Sequence, residues 1–399
     1  MDKNRLAILK LIKAGLLSEQ CVLEDDLDWN YILLSSYRLD IVNVVYQAIK
    51  SSNIHVPPEY LKVFQVQALH GMKRDRNQIS LINALFKCFE ENGITYLPLK
   101  GSVFKSLYPK SEFRQMGDAD IYIKAGEYDR IKPLMELLGY SFVGGIHHEL
   151  IWERKDELIV ELHKSIFDPT YGMIDYFDRC RDKAVDNRHQ NFRMDLDIND
   201  HLVYAVIHLA KHCIIGSASI KNLLDIYFLK REQNIDETYV EQCLKKLQLK
   251  DFYDVLCAAL DEWFNGKDFS ERSEKLLIPM LTVSEKNKAS RRLASSVVIN
   301  HFCKKKVTFM GKVKFCFMKF FRPYKHISKE YPVLKMVPVL LPVFWFWRPF
   351  HHFFTNSTYK NNVLDMSGQQ FGQRVEKYKA DMELLGLEKM IPGYDEKSE

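Results

Sequence analysis

Residues 114–123 read RQMGDADIYI, and within them ADIYI alternates apolar and polar side chains. That period of two is the signature of a β-strand with one buried face. Asp118 and Asp120 are two apart, so on a strand both project from the same face. Like charges held that close repel strongly unless a cation sits between them. The pair is therefore a candidate metal site.

The flanking sequence supplies the rest of a small α+β unit. ITYLPLKGS (94–102) is a short run of strand formers ending at Gly101-Ser102, and SVFKSLYP is read as one or two helical turns. AGEYDRIKPLMELLGY predicts a helix ending near Gly139. HELIWER and LIVELHK flank Lys155-Asp156-Glu157 and predict a β-hairpin. The order is β-α-β-α-β-β. Glu161 lies in LIVELHK and brings a third carboxylate to the face of Asp118 and Asp120, provided the register is right. A slip of one residue would turn it away. Three carboxylates on one rigid sheet suit a two-metal site, where one ion activates an attacking oxygen and the other stabilises a leaving pyrophosphate. Mg²⁺ fits oxygen ligands and phosphates best, with Mn²⁺ as the alternative.

Gly101-Ser102 precedes the acidic pair with 15 residues intervening. A glycine at a strand-to-helix turn lets backbone approach a ligand, and the helix start offers N–H groups to phosphate. Ser102 adds a hydroxyl, while Lys100 and Arg114 are candidate phosphate-binding cations. His163 shares the face of Glu161 and is read as a substrate contact, a neighbour orienting a metal ligand, or a structural histidine.

These residues carry a family resemblance. Gly-Ser, then Asp-x-Asp on a strand, then a later strand carboxylate, resembles the DNA polymerase β-like nucleotidyltransferase superfamily. LPLKGSVFKSLYP, RQMGDADIYI, GY, HHEL and VELHKS look more closely like the bacterial uncharacterised nucleotidyltransferase family, as do HLAKH and LLDIYFL further on. The resemblance covers roughly residues 80–230. It implies that Gly101 and Ser102 hold a triphosphate and that Asp118, Asp120 and Glu161 hold Mg²⁺. The Gly-to-Asp spacing is slightly longer than the usual superfamily pattern, which leaves the conformation of 103–117 open.

Other histidines read differently. His147-His148 are adjacent, so on a strand at most one faces the site. His208 and His212 are i, i+4 on a predicted helix, but HLAKH lacks the glutamate of a zinc-protease helix. They are read, with Lys211, as core or substrate contacts. Asp225 is placed to fix one of the histidines or Lys211.

The flanks are helical by periodicity: LAILKLIKAGLL and ISLINALFKCFEENG upstream, with Gly93 placed to end the second, and LVYAVIHLAKHCII and IKNLLDIYFLKR downstream. The N-terminal stretch is amphipathic with charges throughout and is read as a helix, not a signal peptide. Eight cysteines without a Cys-x-x-Cys spacing are expected to be reduced, which predicts a cytoplasmic protein.

The net charge of +5 hides an asymmetry, because residues 286–329 hold 13 Lys/Arg and no Asp/Glu. GKVKFCFMKFFRPYK within them interleaves cations with Phe, and YPVLKMVPVLLPVFWFWRPFHHFF (331–354) follows. Nucleic-acid binding, an anionic membrane surface, and a basic helix with solvated lysines are the three readings. Lys335 and four prolines argue against a spanning helix.

The predicted fold is thus α+β: a small mixed-sheet core (85–168) between an N-terminal helical region (1–84) and C-terminal helices (169–285), then the basic and aromatic segment (286–354) and a polar tail (355–399). The expected activity transfers an NMP from an NTP to an acceptor and releases pyrophosphate, with Asp120 or Glu161 taking the acceptor proton. RNA, a protein, a small molecule or a glycolipid precursor are all open as acceptors. A toxin-like enzyme acting on tRNA ends, or a non-catalytic NTP-binding protein on the same fold, are the alternatives. A peripheral position at the inner face of the membrane is the variant of the cytoplasmic reading that the basic segment allows.

Overall fold

The computed structural model describes residues 1–124, 126–146, 149–155, 157–167, 171, 173–186, 191–282, 310, 321, 324, 327–328, 331, 333–355 and 371–391. His147-His148 and nearly all of 286–329 lie outside the described residues. The chain forms two units, one of residues 1–210 and 218–283 and one of residues 211–217 and 284–399.

The first unit opens with four helices: α1 Lys3–Leu17, α2 Trp29–Arg38, α3 Val42–Ser51 and α4 Pro58–Glu91. Asp2 and Asp28 cap α1 and α2 by accepting from the backbone N–H groups of Arg5 and Tyr31, each at 2.9 Å. Pro58 opens α4, where its missing N–H costs nothing. Gly93 follows α4 at φ +64°, as a helix-ending glycine should.

Gly15 is where α1 meets α3. A Cβ there would come within 2.1 Å of the Val44 carbonyl oxygen, which is backbone and cannot move aside. Gly15→Ala is expected to lower the unfolding free energy by about 1–3 kcal/mol, read from denaturant melts at constant m.

Five strands follow: β1 Tyr96–Leu99, β2 Asp118–Ile123, β3 Ser141–Ile146, β4 Glu149–Arg154 and β5 Leu158–His163. Between them lie α5 Gly101–Phe104, two 3-10 turns and α6 Tyr128–Leu137. The sheet order is β1-β2-β5-β4-β3, with β2 and β5 parallel and the other pairs antiparallel. One strand, β3, is absent from the sequence reading. Its SFVGGI has glycines where a half-buried strand wants β-branched residues, and its pairing with β4 shifts register between Phe142 and Gly144.

One sheet face is the core. Ala119, Ile121 and Ile123 of β2 and Leu158, Val160 and Leu162 of β5 pack with Leu81, Leu85 and Phe89 of α4 and with Ile131 and Met135 of α6. Strand alternation then dictates that Asp118, Asp120, Glu161 and His163 occupy the opposite face. The unit closes with α7 Ile174–Asp186, α9 Ile220–Leu229, α10 Glu237–Lys246, α11 Lys250–Asn265, α12 Glu271–Leu281 and most of α8 Ile198–Ile215.

In the second unit the described elements beyond the end of α8 are Val333–Met336, a 3-10 turn at Pro338–Leu340, Leu341–Thr355, Phe371–Leu385 and a 3-10 turn at Glu388–Met390. The Tyr378 hydroxyl donates to the Ile214 carbonyl at 2.7 Å. Among the described residues no helix is long and apolar enough to cross a membrane, and Cys21, Cys88, Cys180, Cys213, Cys243 and Cys257 are free thiols.

Candidate active site

The register between β2 and β5 builds the site. Asp120 stands opposite Glu161, and Asp118 and Tyr122 stand opposite Ile159 and His163. In a parallel pair, residues side by side share a face, so the two strands present their carboxylates together. The LIVELHK register therefore turns Glu161 toward Asp120. On the other side β1 places Leu99 opposite Asp120 and delivers Lys100 immediately after it.

Lys100 has φ +48°, in the region that L side chains avoid. Such a backbone costs about 1–3 kcal/mol and persists only where surrounding contacts over-determine it. Here the contact is an ion pair: the Lys100 ammonium donates to Asp120 Oδ1. His163 Nε2 meets the same oxygen at 2.8 Å and lies 3.7 Å from Glu161 Oε2. Ligand atoms of Asp120, Glu161 and His163 all lie within 4.8 Å of one another, a group that could hold a metal ion.

The electrostatics separate the three acids. Burial works against the Asp120 charge, but Lys100 and His163 outweigh it and hold the carboxyl well below its usual range. Asp118 is pushed up by burial and by Asp120, against the pull of Lys100 and Arg114. Glu161 is pushed up to about 7, by burial first and then by the Asp120 and Asp118 charges. The site thus holds more negative charge than Lys100 and His163 neutralise, the situation a divalent cation relieves. The donor set, two carboxylates and an imidazole with Asp118 beside them, fits such an ion. Tyr204 of α8 adds its hydroxyl to the electrostatics of the site, and Lys100, Asp120 and Glu161 all act on it.

The phosphate-turn residues are placed as follows. Gly101 begins α5, and a Cβ there would meet Met116 Cγ at 3.0 Å, so close packing against Met116 favours glycine. The Ser102 hydroxyl donates to the Leu99 carbonyl at 2.8 Å and secures the strand-to-helix turn. Arg114 is buried and clamps Asp225 of α9 with two hydrogen bonds, Nε to Oδ1 at 2.7 Å and Nη2 to Oδ2 at 2.8 Å. Its Nη1 donates to the Gln115 carbonyl at 2.9 Å. Tyr108 also donates to Asp225, at 2.8 Å. Asp225 therefore serves Arg114 and Tyr108, a use that sequence spacing did not reveal.

That clamp is one of several fixing residues 105–117. Lys105 pairs with buried Asp75 of α4, and Arg74 donates to the Met116 carbonyl at 2.8 Å. Lys221 of α9 donates to Asp40 at 2.8 Å and to the Gln115 carbonyl at 3.3 Å. An open cleft of about 580 Å³ runs along α4 beside Gln115 and Arg74. His70, Lys73, Arg74 and Asn77, at i, i+3, i+4 and i+7, line one side of it.

His208 stacks on Tyr204, rings 6.0 Å apart and 14° from parallel. His212 Nδ1 meets the Ser217 hydroxyl at 2.6 Å. Among the described residues, neither His208, His212 nor Lys211 belongs to a metal-holding group.

Over residues 25–265 the chain matches the family described as uncharacterised nucleotidyltransferase. No curated protein and no solved structure matches it significantly.

Proposed function

The chain belongs to the uncharacterised nucleotidyltransferase family, matched over more than half its length, and from that premise we propose that it transfers an NMP from an NTP to an acceptor, with Asp118, Asp120 and Glu161 as its acidic centre. The observation that supports this most is the face-sharing of Asp120 and Glu161 on β2 and β5, with Asp118 one strand period away. In the reaction an acceptor oxygen bonds to the α-phosphorus. The bond from the α-phosphorus to its bridging oxygen breaks, and pyrophosphate leaves.

Asp120, Glu161 and His163, with Asp118, would hold Mg²⁺. Bound there, the ion would supply charge neutralisation on the phosphates and activation of the attacking oxygen. The chain's own groups do the rest. Lys100 keeps Asp120 ionised and fixed in place. His163 is hydrogen-bonded to Asp120 and stands beside the Glu161 carboxylate. Glu161 is the better candidate to take the acceptor proton, because Asp120 is held too acidic to act as a base near neutrality. Gly101 and Ser102 at the start of α5 are assigned to the triphosphate.

The test is incubation with each labelled NTP, Mg²⁺ and a lysate of the source cell, followed by identification of the labelled product. Label that appears with one NTP and vanishes with chelator supports the proposal. If no NTP is consumed with any acceptor fraction, the transferase reading fails.

Glu161 sets a pH prediction. Its carboxyl must be ionised either to hold a cation or to accept a proton. At limiting Mg²⁺, where protons and the cation compete for Glu161, activity is therefore expected to climb as pH rises toward about 7 and to level off above it. Below that value the slope should approach about tenfold per pH unit. Stability runs the other way: the folded state keeps a proton that the unfolded chain releases near 4.5. This group's contribution is present at low pH and is lost as pH rises through about 7 in metal-free protein. Paired pH–rate and pH–melting profiles of wild type and Glu161→Gln check both signs. A wild-type rate profile flat from pH 5.5 to 7.5 would count against the assignment.

A further inference from the structure

The second unit carries a feature that nucleotidyl transfer does not use. The helix Leu341–Thr355 packs unequally. Trp345 turns edge-on to Phe321 at 5.3 Å, and Phe344 meets Tyr331 at 4.8 Å. Three further apolar side chains of the helix are largely exposed. Val343 is 60% exposed, Phe346 58% and Trp347 57%, at i, i+3 and i+4 on one face. Just before the helix, Met336 and Val339 are 84% and 80% exposed. Single exposed apolar residues need no explanation, but a contiguous set with two large aromatics marks a contact surface.

The charge around it identifies the partner. From residue 286 to 364 there are 16 Lys/Arg, and the only acidic residue is Glu330. Aliphatic and aromatic side chains presented together, next to a nearly acid-free cationic sequence, match the two halves of an anionic bilayer surface. Acyl chains take the apolar face, and acidic headgroups take the lysines. A nucleic acid would use the cations and stack on Phe346 and Trp347, but it offers nothing to Met336, Val339 and Val343. Fifteen residues of helix span about 22 Å, short of a hydrocarbon core of about 30 Å. A helix of that length is too short to cross and would lie along the surface.

We propose that the segment around Leu341–Thr355 is an interfacial anchor that seats this protein on an anionic lipid surface, with Val343, Phe346 and Trp347 inserted and the cationic composition of the sequence around it supplying the attraction to acidic headgroups. The inference stands independently of the transferase reading.

The experiment is vesicle co-sedimentation of the full chain at low salt. It compares pure phosphatidylcholine with phosphatidylcholine containing 30 mol% phosphatidylglycerol, at about 0.1 M and 0.5 M NaCl. Partitioning is expected to be at least about tenfold stronger on the anionic vesicles and to weaken at high salt. Phe346→Glu/Trp347→Glu changes two side chains that are more than half exposed and that also touch Phe321 and His351; it should cost about tenfold or more in partitioning, and its melting profile separates that loss from a loss of fold. Lys304→Glu/Lys305→Glu/Lys306→Glu should abolish the preference for anionic lipid. Equal binding to neutral vesicles, no binding to either, or a Phe346→Glu/Trp347→Glu variant that partitions like wild type overturns the proposal. So does a single-stranded RNA oligomer that displaces the protein from the vesicles and whose binding needs Trp347.

Discussion

Asparagine at position 120 is expected to lower turnover by on the order of 10³-fold or more while leaving the chain folded. Asp120 is the most connected acid of the centre. Its Oδ1 takes both Lys100 and His163, and its strand neighbours are Leu99 and Glu161. Asparagine keeps the volume and one oxygen but removes the charge that a cation and Lys100 both need. Alanine is the poorer choice, since stripping one partner from a buried ion pair costs about 3–5 kcal/mol and would confuse lost chemistry with lost fold. Lys100→Met added to Asp120→Asn separates the two further, because it removes the stranded cation. The double variant is expected to regain stability in melts without regaining turnover. Turnover within about tenfold of wild type in Asp120→Asn, with Mg²⁺ dependence intact, would remove Asp120 from the chemistry.

The shared face of the three carboxylates is legible in the sequence because the relations that place them are short. Alternation alone puts Asp118 and Asp120 on one face, and the hairpin LIWER-KDE-LIVEL fixes the inward register of Glu161 once its apolar partners are buried. What could not be read depends on contacts distant in sequence. Lys100 shows its positive φ only in three dimensions, and the cation that looked free for phosphate is paired with Asp120. Arg114 and Asp225 are 111 residues apart, and nothing local to either predicts that they meet. β3 was missed for the opposite reason. Its local signal is weak, since Gly144 and Gly145 dilute the strand propensity, and the strand exists because β4 offers it an edge. Helices α1 and α4 are legible from their period, yet the insertion of Gly15 against Val44 is not, because a glycine gives no periodic signal.

The Arg114–Asp225 clamp carries the other large effect. Asp225→Ala is expected to destabilise the protein by about 3–5 kcal/mol, because it leaves a guanidinium with 9% side-chain exposure without its counter-ion. Tyr108 loses its acceptor at the same time. Replacing both partners with apolar residues, Arg114→Met/Asp225→Leu, should cost much less than the single change, since neither charge is then buried alone. The clamp also reaches the chemistry. It ties α9 to the segment that ends at Asp118, so the Arg114→Met/Asp225→Leu protein should fold yet turn over more slowly. A shift of about 1 Å in a reacting group is enough to cost on the order of 10²-fold. If Arg114 instead gripped phosphate directly, Arg114→Lys would raise KM for NTP and leave the melting profile alone. The geometry predicts the reverse: a lowered melting midpoint, because lysine cannot reproduce two hydrogen bonds from one planar group, with a KM that follows stability and not charge.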